Sequence, residues 1–378
     1  MKIMRFKLSS ALILFFSFLF SITHILDAPN LSDDLYRYYW DGKVSFSGIN
    51  PYSFAPDSPN LSHLRDDYWL FINNKDLTTP YPPFIIALCA LLYLLSPSIY
   101  SFKVLSVVSY FLSSVILILM LRRYSRSPYY SLIYTWNPLM AIEFGHSGHN
   151  DSVAVFFMLL STFFLSAKQY KYSALTLGVA TLSKIFPALL TPFYIIKWRL
   201  KGMIVYISVV ILPYIPLSLI GSVQTSLVTY FERIAFNAGF YYLLEAIISY
   251  FIKENAALYA RITITILFSV CLVYMTYKFR EKDFLFNAYL IIAVYLLLTP
   301  TVHPWYLSWI LPFAALYAPE PWLYFSGAIF LSYYTYSLPE ISPGFWPEQV
   351  WVRAVEYIPF MLLLLLSLRK ELSGANRG

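Results

Sequence analysis

The chain has 378 residues, of which 59% are hydrophobic and 12% are charged, with a formal net charge of +7 and a mean hydropathy of +0.61. Because a soluble domain carries about 25% charged residues, this composition excludes an ordinary soluble protein. The excess of Lys and Arg is typical of the cytoplasmic loops of membrane proteins, and the sequence has no Lys/Arg-rich run long enough to bind nucleic acid.

Apolar runs of roughly 15 to 22 residues recur along the chain, and a helix of about that length crosses a hydrocarbon core of about 30 Å. Backbone polar groups in lipid must hydrogen-bond within their own segment, so these runs predict helices. We expect an all-α polytopic membrane protein, a bundle of about 11–13 hydrophobic helices in a single domain that covers residues 1–378. The first segment has a basic start and no small-x-small cleavage site, which favours a retained span over a signal peptide.

The candidate spans are, in chain order, residues 8–26, 101–121, 127–143, 152–167, 203–221, 256–277, 284–300, 303–317, 321–337 and 351–368. Three shorter apolar pieces cover residues 83–98, 172–196 and 238–252, and the sequence leaves open whether each of them spans. The middle piece is too short for two full spans, so we expect a broken hairpin that turns near Lys184.

Basic residues set the orientation of the spans, since loops rich in Lys and Arg remain in the cytoplasm. The basic first segment places the N-terminus inside, so the loop 27–82, with eight Asp against four Lys or Arg, lies outside. If the basic group at 122–126 lies in the cytoplasm, the chain must cross the membrane an odd number of times between residues 82 and 122. Either the Pro-led piece 83–98 is a re-entrant or interfacial helix, or this basic group breaks the rule.

The same reasoning puts the loop 27–82, the segment 144–152 and His303 in one outer compartment, while Arg369 and Lys370 return the C-terminus to the cytoplasm. We therefore predict an integral, multi-pass protein with both termini cytoplasmic and its site on the extracytoplasmic side. The loop 27–82 is the candidate catalytic loop and is expected to carry short juxtamembrane helices.

The most polar stretch, SDDLYRYYWDG, follows the first apolar run and combines acids with aromatic side chains. We expect Ser32 to cap a helix, on which Asp34, Tyr38 and Asp41 recur at i, i+4 and i+7 and share one face. A carboxylate beside aromatic rings suits a general base that acts on a bound sugar hydroxyl.

Asp33 stands in the first turn of the same helix, where a carboxylate is favoured by the helix dipole, and its spacing allows an i, i+4 pair with Arg37. The alternative interpretation of the whole stretch is structural. A capped interfacial helix with a solvated acidic face and an aromatic belt has the same composition.

A second polar stretch, EFGHSGHNDS, lies between two apolar runs. It brings His146, His149, Asn150 and Asp151 to the outer surface, where they could hold an acceptor hydroxyl, a donor phosphate or a divalent ion. Its spacing is too loose to indicate a metal site. The structural alternative is that Asn150 or Asp151 simply caps the following helix.

Three further sets of residues carry polar groups into apolar surroundings. Lys184 lies in the middle of an apolar run, where an ammonium costs roughly 2.5–3.5 kcal/mol unless it is paired or snorkels. The HPWY stretch supplies His303, Trp305 and Tyr306 at the start of a span, although an interfacial girdle explains such rings as well. Arg233 is a further cation on the outer side, or an ordinary loop charge.

Taken together, these stretches resemble the GT-C superfamily of glycosyltransferases that use polyprenyl-phosphate sugars, and most of all its polyprenyl-phosphate-mannose-dependent mannosyltransferases. These include the first mannosyltransferase of GPI-anchor synthesis and the mycobacterial enzymes that extend phosphatidylinositol mannosides. The resemblance is carried by Asp34 with Tyr38, GINPY at 48–52, YPP at 81–83, GHND at 148–151, Lys184 with Pro187, and HPWY at 303–306.

One departure concerns the first motif. The GPI-pathway enzyme has Asp-x-Asp at this place, whereas this chain has the adjacent acids Asp33 and Asp34. We assign the base to Asp34, because its spacing to Tyr38 and Gly48 fits the mycobacterial pattern better. Asp33 and Asp41 stay as further catalytic candidates.

The resemblance implies a membrane-embedded hexosyltransferase. It would move mannose, or another hexose, from a polyprenyl-phosphate donor to a lipid-linked or glycan acceptor by an inverting single displacement with an Asp base. No cofactor is required by this chemistry, although a divalent cation such as Mg²⁺ or Mn²⁺ is compatible with it. The substrate-binding candidates are Arg37, Tyr38, Tyr81, His146, His149, Asn150, Asp151, Lys184, Arg233, His303, Trp305 and Tyr306.

Two other function classes fit the composition. A lipid or sugar transporter would keep ionisable groups near the bilayer midplane and show inverted repeats, whereas most acids here lie in one outer loop and no repeat is visible. A non-catalytic subunit of a glycosylation complex would not need Asp34, His149 and His303 to converge on one cavity.

Overall fold

The protein is described by a computed structural model that covers residues 2–218, 228–229, 234–317, 319–338 and 346–375. Within these ranges the chain forms helices and loops, with one isolated bridge between Phe236 and Thr301 and no strand. The expectation of an all-α protein is therefore confirmed.

Thirteen helices of ten or more residues are present in the described ranges. They are α1 (Lys2–Ile22), α2 (Asp34–Phe46), α3 (Pro83–Leu95), α4 (Ile99–Arg123), α5 (Asp151–Ser166), α6 (Tyr170–Ser183), α7 (Thr191–Ile211), α8 (Phe240–Phe251), α9 (Ala256–Lys278), α10 (Phe284–Leu298), α11 (Leu307–Tyr317), α12 (Pro319–Ala328) and α13 (Val350–Ala375).

Four helical stretches in the described ranges are long and apolar enough to cross a membrane: Ile99–Arg123, Phe186–Ser218, Ala256–Lys278 and Val350–Ser367. Shorter apolar helices, among them α3, α5, α8 and α10, accompany them. Length and composition therefore identify a polytopic membrane protein. Which loops face the cytoplasm stays a prediction from the distribution of Lys and Arg.

The segment expected to span at 127–143 is not one continuous helix. It consists of a 3-10 turn at Pro128–Ser131, short α-helical turns at Leu132–Thr135 and Pro138–Met140, and a π-helix at Ala141–His146. Proline causes this, because its missing N–H and its ring interrupt a helix and favour a new start. Asn137 caps the turn that Pro138 begins, since its side chain accepts from the Leu139 N–H at 3.0 Å. The chain is thereby bent just before the polar segment 143–151.

The predicted break near Lys184 is present. Helix α6 ends at Ser183, and Lys184 takes an extended conformation with φ −155° and ψ 148°. A 3-10 turn at Phe186–Leu190 then leads into α7, which kinks where Arg199 has φ 56°. The hairpin of α6 and α7 therefore turns at the lysine and presents its side chain toward the neighbouring helix ends.

The outer loop between α1 and α3 is folded, as expected for a segment with short juxtamembrane helices. It contains α2 and two 3-10 helices, Pro59–Leu64 and Asp67–Phe71. Helix α2 begins at Asp34, one residue later than the predicted cap implies, and the Ser32 hydroxyl accepts from the Asp34 N–H at 3.3 Å. Asp33 thus occupies the cap position itself.

Helices α2 and α3 approach closely at Gly42. A Cβ atom added there would lie 2.5 Å from the backbone oxygen of Cys89. Only glycine permits this contact, and the contact fixes the helix that carries Asp34 onto the membrane-embedded part. Most other buried apolar side chains belong to one large cluster, which joins α4–α7 and α10–α13 beneath this level.

The contact at Gly42 gives a stability prediction. Replacing Gly42 with Ala forces α2 away from α3, because the obstructing atom is backbone, and we expect a loss of about 1–3 kcal/mol and a lower melting temperature. Gly327→Ala is the control, since a Cβ added there has no heavy atom within 4 Å. Thermal unfolding of the two purified variants checks this, and equal melting temperatures would contradict it.

Candidate functional site

The polar residues of the outer loop border a cleft with an empty volume of about 720 Å³. We call it the outer cleft. One wall is the start of α2 with the loop 73–81, and the opposite wall is the segment before α11 together with the 3-10 helix at Ile329–Ser337. Residues far apart in the sequence therefore line one cavity.

Asp33 and Asp34 stand side by side on the first wall. The Asn73 side-chain amide donates to Asp33 Oδ1 at 2.6 Å and to Asp34 Oδ1 at 3.1 Å. The Tyr38 hydroxyl donates to Asp34 Oδ2 at 3.4 Å. With 19% of its side chain exposed, Asp34 remains accessible from the cleft.

The pKa values of both carboxyls are raised above their ordinary value. Burial, followed by the neighbouring charge of Asp34, raises the pKa of Asp33 to about 7. Burial also raises the pKa of Asp34, although the nearby Lys184 ammonium opposes that rise. A carboxylate whose pKa is raised toward neutrality is a better proton acceptor than a solvated one.

Arg37 pairs with Asp41 and not with Asp33, so the sequence-based pairing was wrong. Its Nε donates to Asp41 Oδ1 at 3.1 Å, and both side chains are almost fully buried. The other guanidinium nitrogens donate to the carbonyls of Asn74 and Leu77. These carbonyls lie on the side of Asp41, which is why the guanidinium turns that way. Arg37 lines the outer cleft whereas Asp41 does not, and the contacts of Arg37 hold the loop 73–77 against α2.

His149 lies between two carboxylates. Its Nδ1 is 3.6 Å from Asp34 Oδ2, and its Nε2 is 3.5 Å from Glu143 Oε2. Neither ring nitrogen has a closer hydrogen-bond partner in the described part of the chain. Glu143 in turn accepts a short hydrogen bond from the Tyr333 hydroxyl. Burial, and then the charge of Lys184, hold the pKa of His149 well below its usual range, so the ring is neutral.

Lys184 and Asp151 form an ion pair at the back of the site. The lysine Nζ is 2.7 Å from Asp151 Oδ2, and the Trp309 indole N–H donates to Asp151 Oδ1 at 2.8 Å. Asp151 is fully buried, whereas 18% of the lysine side chain is exposed. Pairing is what makes a fully buried carboxylate tolerable.

Four stacked rings form a column, which we call the ring column, and three of them, Trp305, His303 and Phe236, line the opposite wall. His149 stacks on Trp305 with ring centroids 3.7 Å apart, Trp305 on His303 at 4.3 Å, and His303 on Phe236 at 4.9 Å. Burial, with Lys184 as a further cause, lowers the pKa of His303 to about 3. Both imidazoles are therefore neutral. Trp305 lines the cleft, and its buried indole N–H has no hydrogen-bond partner among the described residues.

Two parts of the predicted motif meet at Tyr81. Its ring lines the cleft and packs edge-on against Tyr38, with centroids 5.0 Å apart. Its backbone carbonyl accepts a hydrogen bond from the hydroxyl of buried Tyr52, the last residue of the GINPY stretch. The GINPY and YPP stretches therefore form this part of the first wall together.

The remaining four predicted residues have different placements. Asn150 is buried beside His149, and both of its side-chain amide atoms lack a hydrogen-bond partner in the described ranges. Tyr306 lies behind the ring column and stacks on Trp309 at 4.0 Å. His146 faces away from the cleft, toward Asp27. Arg233 lies outside the described residues.

The sequence-based analysis did not include Glu143 or Asn73 among the site residues. Glu143 is fully buried at the end of an apolar run, and an acid in that position is itself a signal of function in a membrane protein. Asn73 gave no such signal, because a single Asn in a polar loop resembles any turn residue. Tyr333 and Tyr336, which complete the cleft wall, were equally hidden in an aromatic-rich segment.

This arrangement suits the removal of a proton from a hydroxyl group that is held over aromatic rings. Sugars pack on such rings, and N–H donors such as that of Trp305 suit their oxygens or a phosphate. The paired oxygens of Asp33 and Asp34 are the cleft groups best suited to Mg²⁺ or Mn²⁺. Whether a cation is needed there stays a prediction.

Comparison with known families gives one match. The model of the MptA_B family, described as "Alpha-(1->6)-mannopyranosyltransferase, N-terminal domain", matches residues 4–200, just over half of the chain. The matched part includes the outer loop, the segment 143–151 with His149, and Lys184, whereas the other three rings of the column, Phe236, His303 and Trp305, lie beyond it. No curated protein matches the chain.

The raised pKa of Asp33 predicts a pH-dependent stability. The folded-state pKa of Asp33, about 7, lies above the ordinary 3.8, so its protonated carboxyl stabilises the fold. This stabilisation is fully present below about pH 4 and is lost as the pH rises through 7. Asp33→Asn has no carboxyl to ionise. Its free energy of unfolding should therefore exceed that of the wild type by up to about 4 kcal/mol at pH 8 and by little near pH 4. Melting temperatures between pH 4 and 8 measure the difference.

The matched control is Asp67→Asn, an exposed carboxylate of the same outer loop. We expect it to follow the wild type at every pH. A difference between wild type and Asp33→Asn that does not grow with pH would contradict the assignment.

Proposed function

The chain belongs to the MptA_B family of alpha-(1->6)-mannopyranosyltransferases, and on that premise we propose that it moves mannose from a polyprenyl phosphate to a hydroxyl of a lipid-linked or glycan acceptor. The observation that carries the proposal is the outer cleft, in which Asp34 faces the Trp305 and His303 rings across a cavity. We place the site on the extracytoplasmic side of a GT-C-type fold, and the linkage formed as α-(1→6).

Asp34 is the general base of the proposed reaction. The Asn73 amide and the Tyr38 hydroxyl hold its carboxylate, and burial raises its pKa toward neutrality. Asp33 accepts a hydrogen bond from the same amide and places a second carboxyl beside the base. Asp41 is engaged by Arg37 behind the cleft and is assigned a structural role.

The proposed step is a single displacement at the anomeric carbon. The acceptor oxygen forms a bond to C1 from one face while the bond from C1 to the phosphate oxygen breaks on the other, so the configuration inverts. The hydroxyl proton passes to Asp34, and polyprenyl phosphate leaves with the bonding electron pair. Because a phosphate is a good leaving group, the site needs charge stabilisation and no strong acid.

The stabilising groups lie around the ring column. The Trp305 indole N–H has no partner among the described residues and is free to donate to a phosphate or sugar oxygen. Lys184 supplies positive charge close enough to act on Asp34, His149 and His303. The two imidazoles are neutral, so we assign them hydrogen-bonding and stacking roles.

The donor tail has an apolar route to the cleft. A groove with an empty volume of about 1500 Å³ lies between α9 and α10, and its lining is mostly aliphatic and aromatic. Ile234 lines both the groove and the outer cleft, while Tyr306 of the groove adjoins Trp305 of the cleft. A prenyl chain in the groove would therefore hold its phosphate beside the ring column. A solute transporter would not require such an arrangement.

Glu143 is proposed as a positioning residue. The Glu143 carboxyl lies 3.5 Å from His149 Nε2 and fixes the imidazole so that its Nδ1 faces Asp34 Oδ2 at 3.6 Å. The 3.5–3.6 Å separations need only a small contraction, as is common before substrate binds.

The first test replaces the base. Asp34→Asn keeps the shape of the side chain and removes the proton acceptor, so transfer from polyprenyl-phosphate mannose should fall by about 10²–10⁴-fold. Asp67→Asn is again the control and should keep the wild-type rate. Radiolabelled donors with several sugars, followed by analysis of the lipid products, measure the rate and identify the sugar. Near wild-type transfer by Asp34→Asn would refute the assignment of the base.

The second test addresses Glu143. Glu143→Gln can still accept from Tyr333 but no longer has the carboxyl that fixes His149, so we expect kcat to fall by about ten- to a hundredfold with KM little changed. The acid limb of the pH–rate profile should also move. Glu320→Gln, an exposed acid at the start of α12, is the control. A pH–rate profile identical to that of the wild type would leave Glu143 with a purely structural role.

A further inference from the structure

Three metal-ligating side chains meet on the outer surface, away from the outer cleft. His24 and Asp27 follow the end of α1, and His146 ends the π-helix that precedes the site loop. One ligand atom from each of the three lies within 4.8 Å of the others. The Asp27 Oδ2 atom is 2.8 Å from His24 Nδ1 and 3.9 Å from His146 Nδ1. None of the three lines the cleft, so the proposed transferase reaction does not use them.

The distances suit a metal ion of zinc's size. Zinc bonds imidazole nitrogen and carboxylate oxygen at about 2.0–2.2 Å, which puts tetrahedral ligand atoms about 3.4 Å apart. The two separations from Asp27 bracket that value. His24 and Asp27 are exposed, with 43% and 52% of their side chains accessible, so an ion can enter from solvent and the side chains can adjust.

A neighbouring residue orients the buried member of the cluster. His146 Nε2 lies 2.8 Å from the Asn30 side-chain oxygen, and donating its proton there leaves the Nδ1 lone pair directed at Asp27. Ligating histidines are commonly fixed in this way by a hydrogen bond from their other ring nitrogen. Lys103 holds the turn from behind, since its Nζ donates to the backbone oxygens of Asp27 and His24.

We propose that His24, Asp27 and His146 form a binding site for a divalent transition metal, most suitably Zn²⁺, with a further position open to solvent. Two imidazoles and one carboxylate favour zinc over Mg²⁺ or Mn²⁺, which prefer oxygen ligands. The bound ion would join the turn after α1 to the segment 146–151. That segment continues into His149 and Asp151, so the metal would hold a wall of the site without touching substrate.

The experiment uses the purified full-length protein after treatment with a chelator. We expect it to take up about one equivalent of Zn²⁺, measured by elemental analysis after desalting, and to gain a few degrees in melting temperature. The same concentrations of Mg²⁺ or Mn²⁺ should give no such gain. Tighter binding of either of these two ions than of zinc would overturn the proposed metal class.

The variants separate this cluster from adventitious binding. His24→Asn changes an exposed side chain and should weaken zinc affinity at least about tenfold, and His146→Gln should do the same from the buried side. His63→Asn, an exposed histidine elsewhere in the outer loop, is the control and should bind zinc like the wild type. Equal zinc affinity in the wild type and His24→Asn would refute the site. Because the readouts are metal content and stability, they do not depend on the proposed transferase function.

Discussion

The ion pair between Lys184 and Asp151 is the interaction on which the site depends. An ammonium and a carboxylate placed among apolar helices are each costly, and only their mutual contact with further hydrogen bonding makes them tolerable. The 2.7 Å contact joins the break after α6 to the first residue of α5, and Trp309 attaches α11 to the same carboxylate. Two consecutive helices, α5 and α6, are therefore fixed to the distant helix α11 at one point close to Asp34.

Burial also decides the protonation of the groups around that pair. The carboxyl of Asp33 becomes harder to ionise, and the imidazoles of His149 and His303 become harder to protonate. The result is a site with one strong cation, neutral rings and acids poised to take up a proton. Such a balance suits the departure of an anionic phosphate from a neutral sugar better than a cluster of fixed positive charges, which would retain the product.

Particular residues show where inference from the sequence succeeded and where it failed. A break near Lys184 was predicted because the apolar piece 172–196 is too short for two full spans. Arg37 was assigned to the wrong acid, because Asp33 and Asp41 are both one helical turn away and spacing alone does not choose between them. The choice is made by the carbonyls of Asn74 and Leu77, more than thirty residues along the chain.

The sequence by itself determined the helical membrane class, the acidic loop and many of the polar residues from which the site is built, because hydropathy and local spacing are properties of short segments. Only the tertiary structure decided which of those residues face one another. It directed His149 into the site and His146 away from it, and it brought Glu143 behind the imidazole. Those contacts depend on how bent segments pack, and neither helical periodicity nor residue type records that packing.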